Sequence, residues 1–329
     1  MSKKFIQVFL FTLFSVLLVA CGNEADETST SAAKEKTVVN IANLGFSTIN
    51  VAKEAGYLEE ELAKHNATFE LSLHQAGPPI NEGIASKRID LGVLGDGAIL
   101  GGANNNLDTK LISLASDGLT GINAFIATKE SGITKLEDLK GKKVAVNLGT
   151  AHHVFLLKVL SEVGLTADDI NIVNLTITDA HPAFQTNQID AWITADLFAN
   201  IEAANGAVLL ADGKKFNLYS PMFYVARGEF AQEHPELVEA FLRAIDRAIE
   251  LKAADNDKYL ELAAKASNQE LEAVKATDTY TFANEKASDE LIKQFQDSTE
   301  ILKELEYITR DVDIKSLIDT SYIDNVRKQ

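Results

Sequence analysis

Six short stretches rich in Gly, Ser, Thr and Asn hold the residues best suited to chemistry in this chain. They are Gly45-Phe46-Ser47-Thr48, Gln75-Ala76-Gly77-Pro78-Pro79, Gly95-Asp96-Gly97-Ala98, Asn147-Leu148-Gly149-Thr150-Ala151-His152, Thr178-Asp179-Ala180-His181 and Trp192-Ile193-Thr194-Ala195-Asp196. Glycine lets a ligand approach the backbone, and free amides at a following helix start hold anions. The chemistry implied is capture of a small anion by amide and hydroxyl donors. Thr150, with the amides of Ala151 and His152, would hold an anionic oxygen; the alternative is an ordinary N-cap. Asp96 and Asp196 would take a ligand ammonium or hydroxyl, or act as turn and cap residues. His152 and His153 are adjacent, so on a helix they diverge by about 100° and one of them faces a cleft. A metal site finds no third close histidine, and no metal or cofactor is expected. Trp192, the single tryptophan, lies in a strand-like run, where core packing competes with a place in a pocket wall. Phe46 reads as a wall contact. The run GDGAILGG (95–102) lacks the dinucleotide spacing, because Leu100 stands where the third glycine belongs.

Each stretch sits where a strand-like run gives way to a helical one. The runs VVNIAN (38–43), FELSLHQ (69–75), IDLGVLG (89–95), KKVAVN (142–147), INIVNL (170–175) and DAWIT (190–194) read as strands. Helical periods separate them, including Phe155, Leu156, Val159, Leu160 and Val163. This alternation predicts an α/β fold with mostly parallel sheets flanked by helices. Thr134 with Glu137 and Thr166 with its following acids read as helix starts. After MFYVAR (222–227) the chain is helical, with Leu237, Phe241, Ile245 and Ile249 marking a core-facing stripe. The strand signals at 122–130 and 222–227 bracket the middle of the chain. That predicts an inserted second lobe, a two-strand hinge and a cleft that can close. The expected division is 37–128 with 222–329 as lobe one and 129–221 as lobe two. Ligands of open α/β sheets bind beyond the carboxyl ends of strands, which is where the six stretches fall.

The N-terminus carries a separate message. Lys3 and Lys4 precede an apolar run from Phe5 to Val19, and small residues lead to Cys21, the single cysteine. This layout predicts a signal peptide over 1–20. The run is short for a membrane span. The sequence Leu18-Val19-Ala20-Cys21 resembles a bacterial lipobox, which implies that Cys21 is acylated and becomes the first mature residue. Residues 21–36 are polar and read as a flexible tether. The formal charge of −17 becomes −19 once Lys3 and Lys4 are removed. A charge of that sign argues against nucleic acid and leaves membrane attachment to the lipid.

At its junction stretches the chain resembles bacterial extracytoplasmic binding proteins of the nitrate/sulfonate/taurine class, aliphatic-sulfonate-binding members above all. The resemblance runs from about 38 to 325. It is carried by AGPPINEGIASKRIDLGVLGDGA (76–98), LEDLKGKKVAVNLGTAHH (136–153) and DAWITADLF (190–198). It implies a two-lobed, periplasmic-binding-protein-like fold of type II. It implies a monomer held at the extracytoplasmic face of the cell membrane, with a small organic anion as ligand and an ABC permease and its ATPase as partners. The loop Asn147–His152 would place donors on the anionic group, and Gly95–Ala98 would face it from lobe one. The class often has Asp-Pro where this chain has Asp196-Leu197. An alkanesulfonate is the implied ligand; taurine, nitrate and a thiamine-precursor pyrimidine are alternatives, as is a lipid-anchored ligand sensor. Enzymes that share the fold depend on cysteines, and here the one cysteine is at 21, so binding without catalysis is expected.

Overall fold

A computed structural model describes residues 35–44, 47–276, 282–304 and 306–328, leaving aside the side chains at 196, 273 and 276. The expected signal peptide, Cys21 and nearly all of the tether lie outside the described residues, as do Gly45 and Phe46. Residues Lys36–Gln329 form one compact unit.

That unit is built on two five-stranded sheets. The first contains β1 (Thr37–Leu44), β2 (Ala67–His74), β3 (Leu91–Gly95), β4 (Thr109–Ser116) and β10 (Met222–Arg227). The second contains β5 (Ala124–Ala127), β6 (Lys143–Val146), β7 (Asn171–Asn174), β8 (Ala191–Thr194) and β9 (Val208–Asp212). Their orders are β2-β1-β3-β10-β4 and β7-β6-β8-β5-β9. In each, the strand entered after crossing from the other lobe is fourth in line and antiparallel to both neighbours. The remaining pairings are parallel. Parallel neighbours need crossover connections, and the helical runs between the strands supply them. The two sheets thus repeat one topology, that of a type II periplasmic-binding-protein fold.

Helices cover both faces of each sheet. In lobe one, Val39, Ile41 and Val93 pack with Leu237, Phe241 and Ile245 of the helix Pro235–Ala254. Each such side chain contributes about 1.5–3 kcal/mol through burial. On the other face, Leu94, Phe223 and Val225 pack with Ile80, Ile99 and Phe295. In lobe two, Phe125, Val144 and Ile193 pack with Phe155 and Val159 of the helix Ala151–Glu162. Ile126, Ala145 and Trp192 form the opposite core with Ala180 and Phe184.

Two expectations need correction. The strand signal at 122–130 belongs to the second sheet, where β5 pairs with β8 and β9, and not to lobe one. Phe125 and Ile126 fill lobe-two cores, and a strand's own pattern cannot say which sheet it joins. The boundary expected at 128/129 therefore falls earlier, between β4 and β5. The crossings are the connecting segments 117–123 and 213–221 and not the strands themselves. They touch: the Ser220 amide donates to the Asp117 carbonyl at 3.2 Å. Gly118, at φ +71°, lies where a Cβ would collide with the Ser220 carbonyl. The second correction concerns Thr134. The acid that accepts from its amide is Asp138, at 3.1 Å, and not Glu137, because the short helix starts one residue later, at Leu136. No helix among the described residues is long and apolar enough to cross a membrane.

Candidate functional site: helix starts around an interlobe cavity

A cavity of about 430 Å³ opens between the two lobes. Six helices begin at its wall. From lobe one come Thr48–Glu54 after Ser47, Gly77–Ala85 after Ala76, and Asp96–Asn104 after Gly95. From lobe two come Ala151–Glu162 after Thr150, Ile177–Gln185 after Thr176, and Asp196–Ala204 after Ala195. The first amides of a helix have no acceptor within it, and its N-terminus carries partial positive charge. At Ala76, Gly95, Thr150 and Ala195 the N-cap side chain makes no capping bond, although the Gly97 amide of the third helix donates to Asp96 Oδ1. Ser47 and Thr176 instead cap their own helices, accepting from the Ile49 and Asp179 amides at 3.2 Å.

No Asp, Glu, Lys or Arg lines the cavity among the described residues. His152 does, and burial pulls its pKa down to about 4. It is neutral at pH 7, and Nε2 donates to the Ile122 carbonyl at 3.1 Å, leaving Nδ1 as an acceptor. The Thr150 hydroxyl donates to the Asn147 carbonyl at 2.6 Å, so its proton is engaged within the loop. Leu44, Val93, Leu197, Phe198, Met222 and Val274 give the wall an apolar part, beside polar side chains such as His74, Gln75, Asn147 and Gln269. The arrangement offers amide dipoles to a compact anion and hydrocarbon surface to an apolar body.

Of the residues singled out in the sequence, the cavity brings together Ser47, Gln75, Gly77, Gly95, Asn147, Thr150, Ala151 and His152. Others lie elsewhere. Thr48 is buried in the first turn behind Ser47. Trp192 is core: it stacks on His181 at 5.8 Å and touches Phe184 and Phe198 at 5.9 and 5.5 Å between centroids. Its ring supports Phe198, which is the wall residue. Asp96, Gly97, Pro78 and Gly149 form the contact between lobes. A Cβ on Gly97 would collide with the Thr150 carbonyl, and one on Gly149 would come within 3.2 Å of Pro78. The Asp96 carboxylate is enclosed there, near Lys158. His153 turns away and meets the Tyr307 ring edge-on at 5.1 Å. Phe46 lies outside the described residues; Asp196 is placed at the start of its helix, and its side chain lies outside the description.

Several wall residues escaped the sequence reading. Thr176 carried a readable signal, a cap hydroxyl three residues before Asp179. Met222 and Tyr224 lie on β10, and Gln269, Val274 and Phe282 come from the helical C-terminal region. None of these five sits at a strand-to-helix junction, and that rule was the only locator available.

Paired sheets of identical order, two crossings and a ligand-sized cavity between lobes define a two-lobed binding-protein fold. The chain belongs to the NMT1/THI5-like family, which residues 43–258 match. It is 30% identical to a putative aliphatic sulfonates-binding protein of Bacillus subtilis (strain 168) over 316 residues, 95% of each chain. In structure it is similar to the alkanesulfonate-binding protein SsuA from Xanthomonas axonopodis pv. citri bound to MOPS. That match has a TM-score of 0.78 at 23% identity and covers 88% of this chain and 100% of that one. A desulfurization enzyme, DSZB, shares the fold at a TM-score of 0.63 and 14% identity, over 89% of this chain and 99% of that one.

Proposed function

We propose that the protein is the solute-binding lipoprotein of an ABC importer, and that it captures an alkanesulfonate between its lobes and hands it to a permease. One observation carries the reading: six helix starts, three from each lobe, surround a cavity whose wall has no Asp, Glu, Lys or Arg among the described residues. A sulfonate is a monoanion with three acceptor oxygens, suited to several dipoles at once. A dianionic phosphonate would find no cation to offset its second charge. Taurine would bring an ammonium into a wall without a described carboxylate. The apolar wall suits a hydrocarbon tail. The binding set is the cavity-lining group Ser47, Gln75, Gly77, Gly95, Asn147, Thr150, Ala151 and His152, with the amides at the starts of helices 151–162 and 77–85 as the main donors. The protein works as a monomer, without catalysis.

Thermal melting across methanesulfonate, butanesulfonate, taurine, nitrate, butylphosphonate and a pyrimidine tests this. Butanesulfonate at about 100 times its Kd is expected to stabilise by roughly 2.7 kcal/mol. A larger shift with taurine or nitrate would overturn the ligand assignment. The lipobox supports attachment through Cys21 at the extracytoplasmic face of the cell membrane. Incorporation of labelled fatty acid is expected in the wild type and absent in Cys21→Ser.

A further inference from the structure

The contact between lobes encloses two charges that ligand capture leaves unused. Asp96 opens the helix Asp96–Asn104 of lobe one; Lys158 lies on the helix Ala151–Glu162 of lobe two. Their side chains are 0% and 6% exposed. Lys158 Nζ stands 3.9 Å from Asp96 Oδ2, too far for a hydrogen bond. Asp96 Oδ1 accepts from the Gly97 amide at 2.8 Å, whereas Oδ2 has no hydrogen-bond partner among the described residues. Lys158 Nζ donates to the Tyr219 carbonyl at 3.2 Å, in the second crossing segment. A buried ion pair offsets its desolvation only with close geometry and full hydrogen bonding. This pair has neither. Burial pushes the Asp96 carboxyl up to about 6 against the pull of Lys158, and it pushes the Lys158 amine down. On both partners desolvation outweighs attraction.

We propose that the Asp96–Lys158 pair is a spring against lobe closure, raising the free energy of the state in which the lobes touch so that the empty protein rests open. The inference depends on the solute-binding reading above. Its position supports it: one residue along, Gly97 lies against the Thr150 carbonyl, and Gly95 and Ala151, both on the cavity wall, face each other close by. The same approach that brings the helix starts around a ligand therefore drives these two charges out of water. Separating the lobes returns both to solvent. Ligand binding must supply the difference, which makes the pair a setting for affinity without contact to the ligand.

The test compares the wild type with Asp96→Asn/Lys158→Met, which removes both charges and keeps an acceptor for the Gly97 amide. X-ray scattering of ligand-free protein reports closure, and calorimetry with butanesulfonate reports affinity. The ligand-free double variant is expected to shrink to the radius of the butanesulfonate-bound wild type and to bind about tenfold more tightly. Asp96→Asn alone leaves Lys158 buried without its anion and is expected to bind more weakly. A double variant that melts cooperatively, scatters like the ligand-free wild type and binds no more tightly overturns the spring. Asp96→Asn/Lys158→Gln carries the same expectation should the methionine variant fail to fold. If no sulfonate, taurine or nitrate binds the wild type, the solute-binding reading fails. The ligand-free scattering comparison still decides whether the pair opposes closure.

Discussion

The two lobes are built to one plan and contribute different things. Each has the strand order 2-1-3-n-4 and presents three helix starts to the cavity, after its first, second and third parallel strands. The third helix even begins on an aspartate in both, Asp96 and Asp196. Lobe one then adds everything beyond β10, and from there come Gln269, Val274 and Phe282 of the wall. Lobe two ends at its crossing and adds nothing comparable; it supplies Thr176, Thr178 and the loop at Asn147–His152. The ring of helix starts is thus a property of the repeated sheet unit, while the rest of the wall owes more to one lobe's C-terminal extension, so the proposed anionic head and hydrocarbon tail would meet different parts of the fold. Head recognition and tail selectivity can then change separately.

The largest expected effect comes from keeping the halves apart. Gly97→Val puts a side chain against the Thr150 carbonyl, where no space exists with the lobes in contact. Overpacking of this kind costs about 1–3 kcal/mol, which predicts a loss of butanesulfonate affinity of about 10- to 100-fold. The ligand-free melting temperature should move little, because an open cleft accommodates valine. A large drop in melting temperature instead would mean that the lobe contact is part of the fold's stability. A smaller effect distinguishes the walls. Phe282→Ala in lobe one and Phe198→Ala in lobe two should each cost up to about 2 kcal/mol of affinity for a long-chain sulfonate, and much less for methanesulfonate. If methanesulfonate suffers equally, the division between head and tail is wrong.

The start of the lobe-two helix Ala151–Glu162 carries two histidines that make the fold sensitive to acid. Burial lowers the pKa of both His152 and His153 from 6.5 to about 4. A depressed histidine pKa means the folded state prefers neutral rings. The stability they contribute is complete above about 6.5 and is lost as pH falls from there toward 4. Urea unfolding at pH 7 and pH 6 should differ by on the order of 1–2 kcal/mol more in the wild type than in His152→Gln/His153→Gln. An equal pH dependence would place the acid sensitivity elsewhere.

The junction rule made the repeated half of this architecture legible in the sequence. Ser47, Gly77, Gly95 and Thr150 could be placed at the cavity wall because helix starts at strand ends depend on local features: glycine, a cap residue and a change of period. What escaped depends on distance in sequence. Phe125 and Ile126 look like any buried strand, and only partner strands some 65 to 85 residues away assign them to lobe two. Asp96 looked like a ligand residue because it follows Gly95 at a junction; one residue along a helix start turns a side chain from the cavity into the lobe contact. Trp192 is fully buried for the complementary reason: in a strand covered on both faces, either direction leads into a core.

The smallest effect asks whether the two lobes obey the same local rules. Ser47 and Thr176 each cap a helix start, one in each lobe, and both hydroxyls are already committed. Ser47 Oγ accepts from the Ile49 amide and donates to Asn43 Oδ1. Thr176 Oγ1 accepts from the Asp179 amide and donates to Asp179 Oδ2 at 2.7 Å. Replacing either by alanine removes a cap, worth about 1 kcal/mol. Ser47→Ala also removes a donor to the buried Asn43 side chain, so it should cost somewhat more than Thr176→Ala, whose Asp179 lies at the surface and can turn to water. Urea titration of both variants measures this. Equal costs would mean that Asn43 finds another donor; a larger cost at Thr176 would show that the lobe-two helix start depends on its cap more than lobe one does, and the likeness of the two halves would then stop at the strand order.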